Sequence, residues 1–153
     1  MKRVILVLLV TFLMAIPVYA DNFLDGVDAY NNKDYKEAIR LFRLAIDQGL
    51  AQAQNNLGSM YDSGQGVPQD YKEAIKWYRL SAEQGYAEAQ YNLGVMYGYK
   101  IPQDFALAHM WFNLCVPSGD KDCVKHRNIV EKKMSKQQIE EAQEMALKWK
   151  SKK

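Results

Sequence analysis

Asp34-Tyr35-Lys36-Glu37-Ala38-Ile39 returns thirty-six residues later as Asp70-Tyr71-Lys72-Glu73-Ala74-Ile75. Working outward, Gln48-Gly49 returns as Gln84-Gly85, and Ala51 and Ala53-Gln54 return as Ala87 and Ala89-Gln90. Asn56-Leu57-Gly58 and Met60-Tyr61 return as Asn92-Leu93-Gly94 and Met96-Tyr97. Between 34–62 and 70–98, 18 of 29 positions are identical, where ordinary residue usage would give about two. The chain therefore carries a duplicated structural unit, and self-similarity at this period is the mark of stacked repeats.

Each unit reads as two helices. Ala38, Ile39, Phe42 and Ala45 recur at three- and four-residue spacing, as do Tyr71, Ala74, Ile75, Tyr78 and Ala82 in the next copy. Asp34 and Asp70 stand at N-cap positions with Glu37 and Glu73 three residues on, a capping-box pattern. Gly49 and Gly85 stop these helices, and a second helix opens with Ala51, Gln54, Leu57, Gly58 and Tyr61 on one side. Small Ala and Gly there let neighbouring helices approach closely. Strand signals are absent, so the expected fold is an all-α solenoid of antiparallel helix pairs.

The residues resemble the Sel1-like repeat family, relatives of the tetratricopeptide repeats. Ala89-Gln90-Tyr91-Asn92-Leu93-Gly94-Val95-Met96-Tyr97 carries the family pattern, as does the loop Gly64-Gln65-Gly66-Val67-Pro68-Gln69-Asp70 leading to Ala74, Trp77 and Tyr78. The resemblance covers nearly all of the chain after residue 20. It implies right-handed superhelical stacking and a role as an adaptor or scaffold for a protein or peptide partner. Some exported members of the family are cysteine-rich and linked to penicillin binding or β-lactam hydrolysis; others are linked to envelope remodelling or host contact.

The repeats weaken toward the ends. Pro102-Gln103-Asp104-Phe105 restarts the pattern at an offset of thirty-four, because the loop after Tyr97 is two residues shorter than that after Tyr61. Phe23, Leu24, Val27, Ala29 and Tyr30 read as a truncated opening helix. Ser135-Lys136-Gln137-Gln138 forms a capping box ahead of Ile139, Ala142, Ala146 and Trp149, an apolar stripe suited to covering the open end of a solenoid. The expected organisation is a signal peptide at 1–20 and a solenoid at 21–133, then a capping helix with a basic tail at 134–153. Full repeats fall at about 34–69 and 70–103, with a degenerate one at 104–133.

The signal is read from Lys2 and Arg3 ahead of a predominantly apolar run from Val4 to Ile16, then Pro17-Val18-Tyr19-Ala20, with Val and Ala at the minus-three and minus-one positions of a cut after Ala20. That run is thirteen residues long, short of the roughly 20 that cross a bilayer as a helix. No cysteine adjoins the cut to take a lipid. The expected location is periplasmic or secreted, with no stable membrane anchor once the signal is removed. Cleavage takes away two of the twenty basic residues, leaving eighteen against eighteen acids. A formally neutral chain gives no electrostatic reason to expect nucleic acid as a partner. Lys148, Lys150, Lys152 and Lys153 suit the last turn of a helix.

Cys115 and Cys123 map through the offset onto Ser81 and Ala89, and one repeat earlier onto Ala45 and Ala53. All of these counterparts are small, which suggests that one helix end and the next helix start nearly touch there. An oxidising compartment and the Cα separation a disulfide requires then favour a Cys115–Cys123 bond, the alternative being two buried thiols. The spacing also resembles the per-repeat disulfides of cysteine-rich family members. His109 and His126 have no carboxylate cluster at ligand spacing, so neither a metal nor any other cofactor is expected. His109 occupies the position of Ile75, which suits a partly buried packing residue.

No enzyme is expected. Ser118-Gly119-Asp120-Lys121 matches S-x-x-K, the nucleophile motif of penicillin-interacting enzymes. That chemistry needs Ser and Lys one turn apart on a helix, and Gly119 is instead the repeat's turn glycine. Glu37 and Glu73 could serve as a carboxylate pair, yet capping accounts for both. The resemblance to tetratricopeptide repeats implies a concave groove lined by the helix whose packing positions are Gln54, Leu57, Gly58 and Tyr61. Side chains between these should face a partner: Gln52, Asn55, Asn56 and Ser59 in one repeat, Glu88, Tyr91, Asn92 and Val95 in the next. Amides and a tyrosine suit an extended peptide, while the alternative is that Asn56 and Asn92 satisfy polar groups within the solenoid.

Overall fold

The computed structural model describes residues 22–150; the export signal expected at 1–20 lies outside them. The described residues form eight helices and no strand. They are α1 (residues 22–31), α2 (Tyr35–Asp47), α3 (Ala51–Ser63), α4 (Tyr71–Glu83), α5 (Ala87–Val95), α6 (Phe105–Cys115), α7 (Lys121–Glu131) and α8 (Lys136–Lys150). They stack as three antiparallel pairs, α1 with α2, α3 with α4 and α5 with α6, in a helical solenoid, with α7 and α8 each packed on α6.

One aspartate starts each of the three repeated second helices. Asp34 accepts from the Glu37 N–H at 3.2 Å, Asp70 from the Lys72 and Glu73 N–H groups at 2.9 and 3.1 Å, and Asp104 from the Leu107 N–H at 2.9 Å. The expected return bond from Glu37 and Glu73 does not form. Backbone geometry explains this: the N–H groups of Asp34, Asp70 and Asp104 already donate to the carbonyls of Ala29, Tyr61 and Tyr97, each at 2.9 Å. That bond pins the hairpins ahead of α2, α4 and α6. It frees the glutamates for ion pairs one turn along, Glu37 with Arg40 and Glu73 with Lys76. Ser135 and Gln138 make the full reciprocal box ahead of α8.

Within each pair a glycine meets an aromatic ring. Gly26 lies on Phe42, Gly58 on Tyr78 and Gly94 on Phe112, so close that a Cβ would come within 2.8, 2.8 and 2.6 Å of the ring. The three rings are buried, and each contributes about 1.5–3 kcal/mol by leaving water. Gly26 thus marks α1 as the first helix of a complete pair, beyond the half-unit suggested by sequence. Ala45 and Ala53, Ser81 and Ala89, and Cys115 and Cys123 occupy equivalent buried places where one pair meets the next. In the last of these the Cα atoms are 5.9 Å apart and the sulfurs are bonded.

The shortened third hairpin is absorbed in the backbone. After Val95 the helix widens into a π-helical turn, Met96–Lys100, with the Ile101 N–H donating to the Met96 carbonyl at 3.2 Å. Asp104 still reaches Tyr97, so the hinge bond survives the loss of two residues. Against this third pair packs α8, burying Ala142 and Ala146 and setting Trp149 edge-on to Trp111 at 4.8 Å.

Candidate functional site

The first helices α1, α3, α5 and α7 form one row, in which α3, α5 and α7 touch through a repeated register. Asn92 of α5 donates from Nδ2 to Asn55 Oδ1 of α3 at 3.0 Å. One step on, Tyr91 of α5 meets His126 of α7 edge-on at 5.6 Å. Tyr91 is the repeat counterpart of Asn55, and His126 that of Asn92, so both contacts use the same two positions.

The expected groove residues divide accordingly. Gln52 and Glu88 are exposed, while Asn56, Ser59, Tyr91, Asn92 and Val95 are half-buried. Asn55 is only 2% exposed: it lies under the surface, where its oxygen receives Asn92. The polar pair therefore joins α3 to α5, and Asn92 holds the row together as well as facing outward. Around Tyr91 gather Phe112 at 5.7 Å, His126, and Tyr99, whose hydroxyl bonds His126 Nδ1 at 3.1 Å. Burial raises the pKa of both Tyr91 and Tyr99; Asp122, Asp120 and Tyr99 add to the rise at Tyr91. Tyr99, Val124 and Ile129 were not singled out from the sequence, yet all three are large apolar side chains exposed around α5 and α7. The thirty-four-residue offset carries a signal for one of them, since it makes Ile129 the counterpart of Val95.

Between α1 and α3 the row opens into a cleft of about 250 Å³ lined by Val27, Tyr30, Asn31, Phe42, Asn56 and Ser59. One wall is fixed by a network. Tyr30 donates its hydroxyl to Gln65 Oε1 at 2.6 Å, Ser63 donates to the same oxygen at 2.9 Å, and Gln65 Nε2 donates to the Tyr35 hydroxyl at 3.3 Å. Lys100, at the end of the π-helical turn, pairs with Asp62 and ties α5 to α3 at the other edge.

Other groups singled out from the sequence lie apart from this row. Ser118 sits in a 3-10 turn, Gly119 has φ +84°, and Lys121 opens α7, so Ser118 and Lys121 do not share a helical turn. The Ser118 hydroxyl accepts instead from the Asp120 N–H at 3.3 Å. Glu37 is held below the usual carboxylate range by its hydrogen bond from Arg40. His109 is fully buried, deeper than its packing role suggested, with Nε2 2.8 Å from Glu131 Oε1. Among the described residues no group of three or more His, Cys, Asp or Glu could hold a metal, and no helix is long and apolar enough to cross a membrane.

Comparison with known proteins agrees with this architecture. The Sel1 repeat matches residues 20–50, 51–86 and 87–114, so its first unit takes in the α1–α2 pair. The crystal structure of a protective antigen present in uropathogenic Escherichia coli strains, displaying an SLR fold, is 30% identical with a TM-score of 0.80. It is matched over 86% of this chain, which spans only 29% of that one. A Sel1 repeat protein from Oxalobacter formigenes is 31% identical with a TM-score of 0.63, over 72% of this chain and 87% of that one. No curated protein sequence matches. With three repeat matches covering most of the chain and two solved structures of the same fold, the chain belongs to the Sel1 repeat family.

Proposed function

We propose that this protein is an exported interaction module that holds an extended segment of a partner protein along the row formed by α1, α3, α5 and α7, the concave side of the solenoid. The observation that carries the reading is the row itself. It presents amides and tyrosines on rigid helices, and its internal polar contact, Asn55 with Asn92, leaves Gln52, Asn56 and Val95 free to meet a ligand, with Glu88 beside them accepting from the Tyr86 hydroxyl. An extended peptide needs hydrogen-bond partners for its backbone and apolar contact for its side chains, and this surface offers both. Four first helices make a short groove, so modest affinity is expected unless the module is tethered or multivalent. Support for export comes from the disulfide, which suits an oxidising compartment, and from the signal read at residues 1–20.

The test is photocrosslinking in living cells with p-benzoylphenylalanine placed singly at Gln52, at Val95 and at Arg79, an exposed residue of α4. Adducts with one partner are expected from Gln52 and Val95; adducts from Arg79 alone would contradict the proposal. A second reading, a factor that contacts host cells, is favoured by the similarity to a protective antigen. Fractionation separates the two, since that role needs the protein in the culture supernatant or on the cell surface.

A further inference from the structure

We propose that the cleft between α1 and α3 is a side-chain subsite: it takes one neutral apolar side chain, of about leucine or phenylalanine size, from an extended peptide whose backbone amides rest on Asn56 and Asn31. This deepens the groove reading above and rests on it.

Size argues first. At about 250 Å³ the cleft is below the roughly 300–1,000 Å³ of pockets that enclose whole small molecules, and it suits a single side chain. Charge narrows the class. None of the six lining residues is an acid or a base, so a carboxylate, phosphate or ammonium entering the cleft would give up water with no ion to meet it. Val27 and Phe42 supply the apolar surface, and amide and hydroxyl groups form the rim.

Rigidity argues next. Tyr30 is the side chain best placed to collapse into the space, and its hydroxyl is held by Gln65 while its ring packs on Tyr35 at 5.6 Å. The cleft is therefore preformed, and a ligand need not order it. The register of the row then identifies the unspent polar group. At the α3–α5 step the counterpart amide, Asn92, is engaged by Asn55. At the α1–α3 step the Asn56 carboxamide has no hydrogen-bond partner among the described residues. A free amide beside an apolar hollow matches the two needs of a peptide, backbone pairing and side-chain burial.

The experiment is NMR titration of the purified protein with N-acetyl-leucine-methylamide and its phenylalanine, alanine, glutamate and lysine counterparts, each one side chain flanked by two backbone amides. Saturable shifts of the Asn56 side-chain NH2 and the Val27 methyls are expected with the leucine and phenylalanine probes, with binding at least ten-fold weaker for the other three. Filling the cleft from either wall, by Ser59→Leu or by Val27→Phe, should abolish those shifts with helicity retained in at least one variant. The proposal is overturned if the leucine probe leaves Asn56 and Val27 unmoved, if glutamate or lysine binds equally well, or if binding survives a folded cleft-filling variant. Shifts confined to Tyr91 and Asn92 would overturn the subsite and leave the groove standing. Loss of the groove itself is read separately, from the crosslinking positions above.

Discussion

Asn92 donates to Asn55 Oδ1 at 3.0 Å, and Asn55 is almost wholly buried, so two side chains read from the sequence as ligand contacts bond one solenoid layer to the next. Asn92→Ala should therefore destabilise the fold by about 1–3 kcal/mol, because it strands a buried acceptor. Replacing both residues with leucine should cost less than the sum of the single changes, as measured by urea denaturation in a double-mutant cycle. Strict additivity would show that the bond carries no coupling.

Gly94 faces the Phe112 ring with no room for a methyl group. Gly94→Ala is expected to destabilise by about 1–3 kcal/mol through overpacking, and Phe112→Leu in the same chain to recover part of the loss. Chemical denaturation of the two single variants and the double variant checks this. Equal stability of Gly94→Ala and the parent would refute the close packing.

Reduction of Cys115–Cys123 should lower stability by about 2.5 kcal/mol, the chain-entropy value for so short a loop, while leaving the helices formed. The two sulfurs are bonded to each other, so thiol titration of the oxidised protein should find no thiol even after unfolding, and two after reduction and removal of the reductant. Circular dichroism melts with and without reductant measure the difference.

Tyr78 has its ionisation pushed well above the usual tyrosine value, chiefly by burial and then by Asp62. Tyr86 is pushed up to about 12 by burial and by its hydrogen bond to Glu88. A raised folded pKa leaves the stabilisation intact below the unfolded value near 10 and removes it as pH climbs toward the folded value. Unfolding free energy should thus decline above about pH 10, with Tyr78 contributing up to about 1.4 kcal/mol per pH unit. Tyr78→Phe should flatten that decline; an unchanged slope would remove Tyr78 as its source.

Much of the fold was legible because repetition exposes structure twice. Asp34 and Asp70 cap as their positions suggested, and Cys115 and Cys123 stand where Ala45, Ala53, Ser81 and Ala89 are small. The first pair was harder to see. Gly26 precedes its ring by sixteen residues, against twenty for Gly58 and Tyr78, so a thirty-six-residue comparison slides past it. Glu37 and Glu73 resembled capping-box partners until the hairpin bond to the N-cap backbone left them nothing to accept there. Asn55 shows the limit for the site: helical spacing orients a residue on its own helix, but whether a neighbouring helix covers it depends on the register between layers. That register became visible only with Asn92 and Asn55, and Tyr91 and His126, set against each other.

The central claim is that the first-helix row is the binding surface, and the most direct test is affinity for the partner recovered by crosslinking. Gln52→Arg combined with Val95→Asp should weaken binding at least ten-fold, as expected when contacts worth more than about 1.4 kcal/mol are lost, whereas Arg79→Glu on α4 should leave affinity unchanged. Unaltered binding by the groove variant, together with loss in Arg79→Glu, would place the partner on the opposite face and contradict the account.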